Sequence, residues 1–183
     1  MSGEAHLALG VATGLTAAFV LFPEHIDKIA FVIPCAIGSL YPDIDIATSK
    51  MGKITRPFST IIGHIFGHRG FIHTPINMCL ATLLLYVLLV KCDYYAPTIM
   101  AAGFSLGYFL HLFQDTFTAG GIAWFFPLPY TIHFTTLSSK HRIAMTIITA
   151  MLFLIITMLI YAMPGPLQTL YNGFCNILLK IPA

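Results

Sequence analysis

The residues able to do chemistry are few, and they come in four groups. His111 and Asp115 lie four apart in the apolar run 97–117, so a helix would place them on one face. An ionisable group inside such a run is costly unless it is paired or functional. An imidazole with a carboxylate one turn on can give a metal ion two ligands, or one ligand and the carboxylate that orients it. Tyr41-Pro42-Asp43-Ile44-Asp45 closes an earlier apolar run with two carboxylates one residue apart. These are hard oxygen donors, suited to Zn, Mn or Mg and able to bridge two ions. The same letters also suit an ordinary helix-end turn. His68-Arg69-Gly70-Phe71-Ile72-His73-Thr74-Pro75 sets two imidazoles around an arginine, whose donor fork suits phosphate oxygens, and a glycine that permits a tight bend. His6 is the fourth element. Imidazole mixed with carboxylate, without thiolate, is the donor set of catalytic rather than structural zinc. The expected metal ligands are therefore His6, Asp43, Asp45, His68, His73, His111 and Asp115. Asp43, Asp45 and Arg69 are expected to be catalytic, and Arg69 and Thr74 to hold substrate. The expected cofactor is one or two zinc ions, with Mn or Mg as alternatives.

Something must bring these groups together, and the composition says in what solvent. Of 183 residues, 57% are hydrophobic and only 9% charged, with a mean hydropathy of +0.85. A soluble domain carries roughly 25% charged residues, so lipid is the solvent this surface suits. The net charge of +2 gives no footprint for nucleic acid. Cys35, Cys79, Cys92 and Cys175 are scattered without a CxxC, which points to neither a zinc knuckle nor a disulfide framework. The N-terminal MSGEAH lacks Lys and Arg, so residues 7–22 read as a retained helix rather than a cleaved leader.

A spanning helix needs about 20 apolar residues. Segments 75–90, 97–117 and 143–163 qualify, and 6–22 is a fair fourth. Ile29 to Tyr41 is short and contains Pro34; it either spans at a tilt or forms a shallow hairpin with the first segment. The expected fold is a single all-α domain over 1–183, a polytopic bundle of four to five transmembrane helices. The tail 164–183 repeats apolar residues at helical spacing and is expected to lie on the membrane surface. Alternation puts the N-terminus, loop 42–72 and loop 118–142 on one face, with Lys50, Lys53, Arg56, Arg69, Lys140 and Arg142. Lys28, Lys91 and Lys180 fall on the other. The positive-inside rule makes the first face cytoplasmic. Trp124, Phe125, Phe126 and Tyr130 on that side, and Tyr94 and Tyr95 opposite, suit the headgroup level. The pairs Gly10/Gly14 and Gly103/Gly107 read as close helix contacts. All seven expected ligands fall toward the cytoplasmic face, and only His25 falls opposite.

The order of His6, PDID (42–45), GHRGFIHTP (67–75) and GYFLHLFQD with TAGGIAWFFP (107–127) resembles the YdjM family over roughly residues 1–130. Its members are described as membrane-bound metal-dependent hydrolases, thought related to zinc-dependent phospholipase C and P1-type nucleases. The resemblance implies an inner-membrane enzyme in which His111/Asp115 is similar to the H-x-x-x-D pair of those helical multi-zinc sites, and His6, Asp45 and His73 resemble the early ligands. Phospholipase C-like sites draw further His and Glu ligands after that pair. Here only His133 and His141 follow, with no glutamate, which argues against a full three-metal site. The expected activity is hydrolysis of a phosphoester by metal-activated water, with a membrane lipid or lipid-linked phosphate as substrate. A metal transporter using the same residues is the alternative, although no repeats or broken helices are seen. A di-iron lipid hydroxylase ranks third, because histidine boxes contain few aspartates. Oligomeric state has no signature in this sequence.

Overall fold

The computed structural model describes residues 2–45, 49, 52–53, 55–56, 59–60, 70–135, 142–162, 165, 169 and 173. Among these the regular structure is helical: α1 (Gly3–Leu21), α2 (His25–Leu40), α3 (Pro75–Lys91), α4 (Pro97–Asp115) and α5 (Arg142–Ala162). Short 3₁₀ turns at Tyr41–Asp45 and Phe71–His73 end α2 and precede α3. The helix starts are legible in the residues. Ser2 caps α1 by accepting from the Ala5 N–H, and Thr74 caps α3 by accepting from Asn77. Pro75 and Pro97 begin α3 and α4, where a missing N–H costs nothing. Pro34 sits inside α2, which runs through it.

α2 is the middle of the bundle, packed between α1 and α4. A Cβ on Gly107 would lie 1.9 Å from the Cys35 carbonyl oxygen, and one on Gly103 would lie 2.2 Å from that of Phe31. From the other side, a Cβ on Gly38 would lie 2.1 Å from the Phe104 carbonyl. The α2 and α4 backbones therefore touch, which only glycine permits. On the α1 side, Gly10 faces Ser39, and the Cys35 thiol donates to the Gly10 carbonyl at 3.3 Å. Both glycine pairs thus do the close packing expected of them. Apolar clusters fill the interior, with Ala17, Ala18, Phe22, Phe31 and Ile160 in one and Phe104, Tyr108, Leu112 and Ile122 in another. The outward surface stays apolar: Phe19, Leu84 and Met158 are 65%, 61% and 70% exposed. Such a face suits lipid.

By length and composition, two helices among the described residues are fit to cross a membrane, Gly3–Leu21 and Ala144–Ala162, while Pro75–Lys91 is apolar but shorter. This is fewer than the four to five expected. α2 has 16 residues, about 24 Å at roughly 1.5 Å per residue, and α4 spends its last turns on His111, Gln114 and Asp115. After α4 the loop folds back through an antiparallel bridge, Ile122 to Ile132, while the Trp124 indole N–H donates to Thr116. Of the tail expected to form a surface helix, only Gly165, Thr169 and Gly173 are described, and each is helical.

Candidate metal centre

Up-and-down threading brings the starts of α1 and α3 and the ends of α2 and α4 to one end of the bundle. Each contributes to a single buried pocket: His6 from α1, Asp43 and Asp45 from the turn after α2, His73 from the turn before α3, and His111 and Asp115 from the end of α4. All six are buried, with His111 at 0% and Asp43, the most open, at 8% exposure. Two interlocking groups have donor atoms within 4.8 Å of one another: His6, His111 and Asp115, and Asp43, His73 and His111.

His111 is common to both groups, and its chemistry is set by the backbone. Its Nδ1 lies 2.8 Å from the Ser39 carbonyl oxygen. A carbonyl only accepts, so Nδ1 must carry the proton and Nε2 the lone pair. That Nε2 is buried with no hydrogen-bond partner, 3.9 Å from Asp43 Oδ1 and 3.9 Å from Asp115 Oδ2. A buried polar atom left unsatisfied costs about 1–3 kcal/mol; a cation here would be met by the lone pair and two carboxylates together. The residues fit such an ion. His6 Nε2 is 3.4 Å from Asp115 Oδ1, longer than an ordinary hydrogen bond. The His6 and His111 rings are stacked, 3.7 Å apart. Asp45 Oδ2 lies 3.3 Å from His73 Nδ1, close enough for this carboxylate to orient the imidazole if its other nitrogen serves a metal. Burial pushes the Asp43 carboxyl above its ordinary value, an effect that His6 partly offsets.

A polar frame holds the pocket. The Tyr108 hydroxyl, one turn before His111, donates to the Ile72 carbonyl next to His73 and accepts from Asn77 Nδ2 at 2.8 Å. Gln114 Nε2 donates to Thr149 Oγ1 of α5 at 2.7 Å and to the Ala5 carbonyl beside His6 at 3.4 Å. Ser39, Asn77, Tyr108 and Gln114 were not among the expected site residues, although each is a polar residue within or next to an apolar run and Gln114 adjoins Asp115. Thr74, expected to hold substrate, is 1% exposed. Its hydroxyl donates to the Phe71 carbonyl and caps α3, so it is committed to the turn that carries His73. His68 and Arg69 lie outside the described residues, as do His64 and His141. His133 is exposed and belongs to neither group.

Six of the seven expected ligands therefore meet in one pocket. The family model for the YdjM inner membrane protein matches residues 1–178, well past the motifs that carry the resemblance. The uncharacterised protein YvsG of Bacillus subtilis (strain 168) is 30% identical over 127 residues, covering 69% of this chain and 74% of that protein. The inner membrane protein YdjM of Escherichia coli (strain K12) is 31% identical over 144 residues, covering 72% and 71%, and that of Shigella flexneri matches to the same extent. No solved structure matches the chain.

Proposed function

The chain belongs to the YdjM inner membrane protein family, and from that premise we propose that it is a multi-pass, metal-dependent hydrolase of lipid phosphoesters. The observation that carries this reading is the buried His111 Nε2, whose lone pair is set by Ser39 and faced by two carboxylates. His6, Asp43, His73, His111 and Asp115 would hold one or two ions, with Asp45 orienting His73. Zinc suits a mixed imidazole and carboxylate set, with Mn or Mg next. When bound, the ion supplies Lewis acidity and lowers the pKa of its water toward roughly 7.

The remaining work falls to the chain itself. Asp43 is the most open of the six, and its Oδ1 is turned toward His111. Its Oδ2 is the atom to accept a proton from the attacking water. Asp45 fixes the His73 ring, and Ser39 the His111 tautomer. Arg69 offers a donor fork to the phosphoryl oxygens and offsets the charge that develops there. The substrate class is argued from place: four helices begin or end at the pocket, and in a bundle that spans the membrane such an end would lie at the depth of lipid headgroups. The bundle spans with its N-terminus and pocket on the cytoplasmic side.

The experiment is turnover of phospholipid and lipid-linked phosphate substrates in detergent micelles, with ion content measured on the same samples. Wild type should hydrolyse one of these only when loaded, and Asp115→Ala should lose both ion and turnover. Wild-type turnover in Asp115→Ala would sink the assignment. Metal flux into proteoliposomes without hydrolysis would favour transport instead.

A further inference from the structure

The stacked pair at the centre of the pocket bears on how many ions it takes. The His6 and His111 ring centroids are 3.7 Å apart and their planes are 17° from parallel. An imidazole binds an ion along an in-plane lone pair, at about 2.0–2.1 Å for zinc. Two imidazoles on one ion therefore have planes that both pass through it. Rings stacked face to face have planes that run past each other, so their lone pairs point side by side. The His111 Nε2 has one lone pair and takes one ion, which leaves His6 directed at a separate position.

Asp115 stands across both positions. Its Oδ1 is 3.4 Å from His6 Nε2, and its Oδ2 is 3.9 Å from His111 Nε2. One carboxylate thus divides its oxygens between two rings, as a bridging ligand does. The 3.4 Å separation is long for an N–H···O bond of about 2.7–3.2 Å. It is close to the roughly 3.3 Å between two ligand atoms on one tetrahedral zinc. The ring spacing also falls within the approximately 3.5–4 Å that separates paired ions in two-metal hydrolytic sites.

We infer that the pocket takes two cations side by side, one on His111 with Asp43 and His73, the other on His6, with Asp115 bridging them. This rests on the metal-binding reading above and adds the number of ions and the division of the ligands. It also assigns His6 to a second ion rather than to a proton-carrying dyad with Asp115.

The test is ion stoichiometry on the full chain in detergent, stripped with chelator and then titrated. Wild type should take up two zinc ions per chain by elemental analysis, and His6→Ala one. Loaded with manganese, wild type should give the electron paramagnetic resonance spectrum of an exchange-coupled pair, and His6→Ala that of an isolated ion. One ion per wild-type chain, or an uncoupled manganese spectrum at saturation, overturns the inference even if His6→Ala does not fold. A His6→Ala variant that still takes two ions overturns it as well. Two ions without phosphoester hydrolysis would remove the hydrolase reading alone, one ion with hydrolysis this inference alone, and no ion would remove both.

Discussion

His111 illustrates how one residue is specified by its surroundings. The Ser39 carbonyl accepts a hydrogen bond from its Nδ1–H, and the Nε2 lone pair is left facing carboxylates. Replacing His111 with Ala should abolish ion uptake while leaving helix content by circular dichroism near wild type; uptake at wild-type affinity would refute its place in the site. Asp43 gives a prediction of opposite sign for stability and binding. Burial raises its folded carboxyl pKa above the unfolded one, so the chelated protein loses stability as pH rises through the folded value. Asp43→Asn removes that charge. Without metal it should melt higher at neutral pH, and the gain should vanish in acid, where Asp43 is protonated. With metal present the same variant should bind more weakly. A metal-free Asp43→Asn protein that melts lower than wild type at neutral pH would show that this carboxylate is not a buried cost.

Among the elements, α2 carries the most consequence for its length. It is held against α4 by backbone contact at Gly103 and Gly107, and the Asp43–Asp45 turn at its end reaches the pocket because of that register. Gly107→Ala must push the helices apart, since its Cβ would meet the Cys35 carbonyl at 1.9 Å. The expected cost is about 1–3 kcal/mol, with weakened ion binding although no ligand has changed. Gly165→Ala, with nothing within 4 Å of the added Cβ, should stay within about 0.5 kcal/mol of wild type. Thermal melts of both variants, with and without zinc, make the comparison; equal losses would undo the packing argument. The Tyr108 hydroxyl tethers α4 to the turn bearing His73, so Tyr108→Phe should weaken ion affinity by about tenfold, measured by competition with a chelator. Unchanged affinity would make the tether purely structural.

For the whole molecule, the proposed centre would also be a fastener. Its candidate ligands come from α1, the turn after α2, the turn before α3, and α4, so an ion would close contacts far apart in sequence. Zinc at a thousandfold over its dissociation constant should add about 4 kcal/mol, and chelation should lower the melting temperature accordingly. A melt indifferent to chelator would argue that no ion binds. The apolar outer surface, with Phe19, Leu84 and Met158 largely exposed, carries a second expectation. The chain should stay in the membrane pellet through alkaline carbonate extraction and leave it only with detergent.

Composition and hydropathy by themselves determined an all-helical chain for a lipid setting, because burial of backbone polar groups leaves the helix as the form a mostly apolar chain adopts. The five helices among the described residues lie near the expected runs, since Pro75, Pro97 and the capping Thr74 mark starts by local chemistry alone. The donors were legible too, because His6, His73, His111 and the three aspartates are conspicuous in apolar surroundings. Residue type did not reveal how these donors are divided. Asp45 behind His73, Ser39 on His111, the Tyr108 tether and the stacking of His6 on His111 depend on side-chain directions across four elements. Those directions arise only when glycine contacts bring α2 between α1 and α4. Local sequence can dictate where a helix begins and which face is apolar, but the angle at which two imidazoles meet is decided by packing between segments about a hundred residues apart.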